Sequence, residues 1–192
     1  MKRPGSGTLS LLIAAALFAA GVGAWVGLFQ SPPAPALRSG GLAPEFALPL
    51  SGGGQVSLTS LRGKVVFVNF WATWCTPCRL EAPSLQRLYK TLRSDGFEVL
   101  GVSIDKADAG EAVGRFKSDF ALDFPIPLDP DRTVYNRYGA SGVPETYLVD
   151  PDGKLLERFV GPQNWDDPRY LREIRRALAA AGTRSGGSPS GS

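Results

Sequence analysis

From Val65 onward the chain alternates two hydrophobic rhythms. Val65 to Trp71 (VVFVNFW) is a nearly unbroken run of β-forming apolar residues, the pattern of a central strand covered on both faces. Leu85, Leu88, Tyr89 and Leu92 then recur at i, i+3, i+4 and i+7, which predicts a helix with one buried face. Phe97 to Ile104 (FEVLGVSI) reads as a second central strand, and Val113, Phe116 and Phe120 as one side of a short amphipathic helix. A further helix is predicted from near Asp131, ahead of Val134 and Tyr138. Glu145–Val149 and Leu155–Phe159 flank the turn signal Asp150-Pro151-Asp152-Gly153 and predict a hairpin. Leu171, Ile174, Leu178 and Ala181 line one side of a last helix. Strands and helices in this order predict a three-layer α/β sandwich around a mixed sheet.

The N-terminus follows neither rhythm. Lys2 and Arg3 precede Leu9 to Phe29, 21 residues without a charge. As a helix this run spans about 30 Å, enough for the hydrocarbon core of a bilayer. A cleavable signal has a shorter apolar stretch of about 7–15 residues, so an uncleaved anchor is expected, with small residues near Val22 and Ala24 leaving cleavage open. The two basic residues place 1–8 in the cytoplasm and everything after Phe29 on the outer side of the cell membrane. The Pro, Ala, Ser and Gly of 30–41 read as a linker. The folded domain is expected over 42–181, and the polar, Gly/Ser-rich 182–192 as a disordered tail.

Composition narrows the chemistry. The chain has 192 residues, 43% of them hydrophobic, which allows a substantial core. Lys2 and Arg3 supply two of the formal +3 charges, so what remains is no footprint for nucleic acid. There is no histidine. That removes the usual general base near neutral pH and the commonest metal ligand, and with them a triad hydrolase or a histidine-based zinc enzyme.

Both cysteines of the chain, Cys75 and Cys78, lie in FWATWCTPCRLEAP, where the central strand gives way to a helix. Backbone N–H groups and the helix dipole at such a start favour a thiolate. A structural staple stabilises by closing a long loop, and this pair closes almost none. A zinc site normally takes four N or S ligands, and two are present. Transient copper(I) binding by the reduced thiols stays open, although the only methionine is Met1. A redox couple fits best: Cys75 near the exposed tip attacks a partner's disulfide, and Cys78 behind it resolves the mixed disulfide.

The segment Phe70-Trp71-Ala72-Thr73-Trp74-Cys75-Thr76-Pro77-Cys78 resembles the active site of the thioredoxin superfamily. More closely it resembles the membrane-anchored TlpA/ResA/DsbE-like thiol–disulfide oxidoreductases, cytochrome c maturation reductases among them. The likeness continues through Arg79-Leu80-Glu81-Ala82-Pro83 and returns at Gly142-Val143-Pro144-Glu145-Thr146-Tyr147-Leu148. It implies a thioredoxin-like fold with an N-terminal extension and a central insertion, here Lys106 to Pro130. It implies a cis Pro144 facing the dithiol, with Val143 offering backbone groups to the substrate chain. Trp74, Thr76 and Pro77 would border the substrate, Thr76 and Pro77 also helping to set the potential, while Trp71 belongs in the core.

Asn69 departs from cytoplasmic thioredoxins, which carry a proton-moving aspartate there. An amide does not titrate, so Glu81, one helical turn beyond Cys78, is the candidate for that work. The plainer reading of Glu81 is a solvated glutamate paired with Arg79 or Arg87. Pro83 is expected to kink the helix rather than touch substrate. Gly161-Pro162-Gln163-Asn164-Trp165 reads as a loop without a role. The implied activity is reduction of protein disulfides, apocytochrome c first, with a membrane thiol donor as electron source and no cofactor or metal beyond the Cys75–Cys78 couple. The alternatives are a disulfide-forming oxidant of the same fold, a copper(I)-binding module, and a thiol peroxidase. The peroxidase signature wants threonine and proline where Ala72 and Val68 stand. Oligomeric state is left open.

Overall fold

The structure, a computed structural model, describes residues 37–185 together with Phe18, with side chains described as far as Ala180. Apart from Phe18, the expected membrane span 9–29 lies outside the described residues, as do the N-terminal 1–8, most of the linker and the end of the tail. Among the described residues no helix is long and apolar enough to cross a membrane.

Two short strands come first, β1 (Ala47–Pro49) and β2 (Gln55–Ser57), paired antiparallel. Then follow β3 (Val65–Trp71), α1 (Thr76–Leu92), β4 (Phe97–Ser103), α2 (Gly110–Asp119), α3 (Thr133–Arg137), β5 (Glu145–Val149), β6 (Leu155–Val160) and α4 (Pro168–Ser185). The main sheet has the order β4-β3-β5-β6. β4 runs parallel to β3, while β5 and β6 are antiparallel neighbours, so the sheet is mixed as expected.

Every residue of β3 is buried, and the pleat sends alternate side chains to opposite layers. Phe67 packs against Phe97 and Trp165, and Trp71 stacks on Phe116, with centroids 5.1, 4.9 and 4.1 Å apart. On the other face Phe70 meets Tyr135 and Tyr138 edge-on, at 5.6 and 5.4 Å. Helices therefore cover both sides, and Asn69, between Phe67 and Trp71, shares their layer with α1. The backbone at Gly101 lies so close to that layer that a Cβ there would stand 2.7 Å from Phe124 and 3.2 Å from Trp71 Nε1.

The chain enters this unit beside the β5–β6 turn. Gly40 N–H donates to the Leu155 carbonyl at 2.7 Å, and Ala43 N–H to that of Gly153 at 2.9 Å. At the other end α4 continues to Ser185, past the expected boundary at Ala181. A Gly/Ser-rich composition does not by itself stop a helix already held by Ile174 and Tyr170 in the core.

Candidate active site

β3 ends at Trp71, and a short turn carries the chain to Cys75, which caps α1. Its Sγ accepts the Cys78 N–H at 3.1 Å, and Pro77, having no N–H, sits in the first turn where none is needed. The turn is fixed by a residue the sequence pattern did not single out. The Asp105 carboxylate, just beyond β4, accepts the Thr73 N–H at 3.0 and 3.2 Å and the Thr73 hydroxyl at 2.8 Å. Ser103 donates to the same carboxylate at 2.8 Å.

Cys75 and Cys78 form a disulfide with S–S 2.10 Å. The Val143–Pro144 peptide is cis, and the Val143 carbonyl oxygen lies 3.5 Å from Cys75 Sγ. The expectation of a Cys75 standing at an exposed tip is corrected: it is 4% exposed, close to the 2% of Cys78. The Val143 carbonyl and the turn before the helix cover it. What is exposed at this rim is Trp74, Thr76 and Pro77, with Val143 half-buried and Pro144 buried.

Behind the disulfide, Glu81 is 3% exposed. Asn69 Nδ2 donates to its Oε1 at 2.9 Å, and the Gln163 N–H to its Oε2 at 3.0 Å. The solvated pairing with Arg79 or Arg87 is thereby corrected: Arg79 lies 3.9 Å from Asp119, and Arg87 pairs with Asp166 at 2.6 Å. Burial pushes the Glu81 carboxyl up from 4.5 to about 7. The bonds from Gln163 and Asn69 pull the other way, as does the Trp165 indole N–H, which is close but outside hydrogen-bonding geometry. Gln163 and Trp165 thus give the 161–165 loop a role that its sequence does not announce. Pro83 sits inside α1 without ending it.

Glu81, Cys78, Asn69 and Trp71 line one small cavity of about 10 Å³, closed by Phe116, Phe124 and neighbouring apolar groups. That is room for about one water molecule. The Trp71 indole N–H, buried in this wall, has no hydrogen-bond partner. The insertion thus reaches the site: Phe116 of α2 covers Trp71, and the Arg79 guanidinium lies over Phe116 and Phe120 at 5.5 and 5.1 Å. Among the described residues there is no cluster of three or more potential metal ligands.

A disulfide at a strand-to-helix junction, opposed by a cis-proline on a mixed sheet, defines the class of thioredoxin-like thiol–disulfide oxidoreductases. Comparison with known proteins agrees. The model of the AhpC/TSA family matches residues 40–158, and the chain belongs to that family. It is 38% identical over 125 residues to the thiol-disulfide oxidoreductase ResA of Bacillus subtilis, covering 65% of this chain and 69% of that one. To ResA of Geobacillus thermodenitrificans it is 37% identical over 141 residues, covering 73% and 80%. A structure from Chlorobium tepidum assigned as the thiol:disulfide interchange protein DsbE superposes with TM-score 0.68 at 35% identity, covering 74% of this chain and 99% of that one. The thioredoxin domain of a Bacteroides vulgatus thiol-disulfide oxidoreductase gives 0.64 at 28% identity, covering 74% and 99%. The protein is a ResA/DsbE-like thiol–disulfide oxidoreductase.

Proposed function

We propose that this enzyme is a membrane-anchored, extracytoplasmic reductase of protein disulfides, with apocytochrome c as the first substrate to try and a membrane thiol carrier as electron donor. The reducing direction rests on the resemblance of the Cys75–Cys78 segment to the reductases of this family, and the observation that supports the thiol chemistry itself is Glu81 in the cavity of Cys78. The buried second thiol gains or loses a proton in each turnover, and a carboxyl raised to about 7 in the cavity of Cys78 is suited to exchange it.

In the reduced enzyme the Cys75 thiolate attacks one sulfur of the substrate disulfide. That bond breaks, the departing substrate sulfur leaves as a thiolate and takes a proton, and a mixed disulfide forms. Cys78 then gives its proton toward Glu81 and attacks Cys75 Sγ, releasing the second substrate thiolate and closing the Cys75–Cys78 bond. Two electrons pass to the substrate, and the membrane donor returns two. During the mixed disulfide Val143 and Pro144 present backbone to the substrate chain, and Trp74, Thr76 and Pro77 form the rim it rests on.

The reduction potential of the couple in the full chain tests this reading, and a value well below about −200 mV is expected. A value near about −120 mV belongs to a strong oxidant and would reverse the electron flow. Cys78→Ser should accumulate a mixed disulfide with its substrate, and Cys75→Ser should form none.

A further inference from the structure

Glu145, the first residue of β5, is a fully enclosed carboxylate with 0% exposure. It follows the cis Val143–Pro144 peptide directly. Three donors converge on it: Arg158 Nε from β6 at 2.6 Å, the Ser141 N–H at 3.1 Å, and the Tyr147 hydroxyl. That hydroxyl stands between Glu145 and the Tyr138 carbonyl, which it meets at 3.0 Å. Arg158 reaches further, with Nη2 donating to the Gly139 carbonyl at 3.3 Å.

These bonds share one object, the segment from Gly139 to Val143 that ends at the carbonyl beside Cys75 Sγ. Ala140 and Val143 pack half-buried against the core, while Ser141 and Gly142 between them are exposed, so the middle of the segment has no apolar anchor of its own. Its polar fixed points are Gly139 through Arg158, Ser141 through Glu145, and the Pro144 carbonyl through the Gly161 N–H at 3.0 Å. Only the carboxylate of this ion pair is buried, since the Arg158 side chain is 39% exposed, and a carboxylate taken out of water needs its partners to offset the lost hydration. The pair does supply a directional anchor that apolar residues lack.

We propose that Glu145 is a positioning residue for polypeptide substrates: it fixes the Ser141–Val143 backbone edge beside which a substrate chain is laid. The inference rests on the protein-disulfide reading above. A protein substrate needs that edge to align its sulfur with Cys75, whereas a small disulfide needs only access to the sulfur. Glu145 touches neither sulfur, so its effect falls on recognition and not on the intrinsic exchange.

The test uses the full chain, pre-reduced, with insulin as the protein disulfide and oxidised glutathione as the small one. Two variants are compared, Glu145→Gln and the double Glu145→Gln/Arg158→Met, the second also removing the half-exposed guanidinium that Glu145 pairs with. In a variant with native near-ultraviolet circular dichroism, the insulin rate relative to the glutathione rate should fall about tenfold or more. A ratio within about twofold of wild type in either folded variant would overturn the proposal. So would loss of the near-ultraviolet signal in both variants, which would make Glu145 a folding residue only. If the wild-type chain reduced glutathione but not insulin, the protein-disulfide reading itself would fail and take the proposal with it.

Discussion

Asn69 Nδ2 joins β3 to α1 by donating to Glu81 Oε1 at 2.9 Å. The same amide nitrogen donates to Thr146 Oγ1 at 2.9 Å, so strand, helix and the cis-proline strand meet at one non-titrating group. With an amide at this place, Glu81 is the carboxyl left in the wall of the cavity that Cys78 shares.

Folding should therefore take up a proton at Glu81. The folded carboxyl holds its proton to about pH 7 while an unfolded glutamate releases it near 4.5. The stabilising contribution is complete below pH 4.5 and is lost as pH rises through 7, a difference of about 3 kcal/mol. Glu173, also raised to about 7 by burial and by Glu157, acts with the same sign, so the comparison must isolate Glu81. Urea midpoints of the oxidised Glu81→Gln variant should fall less than wild type between pH 5 and pH 8. Parallel curves for the two proteins would contradict the assignment. Exchange at Cys78 should lose its pH step near 7 in the same variant.

Phe116→Ala should open the cavity from the insertion side. Removal of a buried phenylalanine costs about 3–5 kcal/mol, and water admitted beside Glu81 should lower its pKa towards the ordinary range. Carboxyl carbon chemical shifts followed with pH would show the change. An unaltered Glu81 titration would mean that α2 packs on the site without governing it.

Asp105→Ala should strip the Thr73 N–H, the Thr73 hydroxyl and the Ser103 hydroxyl of their shared acceptor. A stability loss of about 1–3 kcal/mol is expected. Slower exchange at Cys75 should accompany it, because the turn presenting Trp74 and Cys75 is no longer held to β4. Thermal unfolding and stopped-flow exchange with a small disulfide measure the two effects.

Trp74→Ala offers the opposite combination. The indole is 61% exposed, so stability should change by no more than about 0.5 kcal/mol. The rate with insulin should fall nonetheless if Trp74 borders the substrate. An unchanged rate would remove it from the contact surface.

β3 and β4 are legible because they are covered on both faces and show as nearly continuous apolar runs, and β5 and β6 through the turn signal between them. β1 and β2 are not, since three residues are too few to display a period. The cysteines and Pro144 announced themselves by motif. Asp105 did not, because an aspartate after a strand looks like any turn residue until its partner Thr73 is known. Gln163 and Trp165 give no signal for a related reason: the Gln163–Glu81 bond joins residues far apart in sequence, and no local pattern encodes it. Glu145 stood in the quoted motif, yet only the fold reveals that Arg158 and Ser141 converge on it.

Because Gly40 and Ala43 dock on Leu155 and Gly153, the described chain enters the catalytic unit at the β5–β6 turn. The five residues of β5 lie between that point and Pro144, about 17 Å at strand spacing. Substitutions where the chain enters should therefore leave the Val143–Pro144 rim in place, and the dithiol with it.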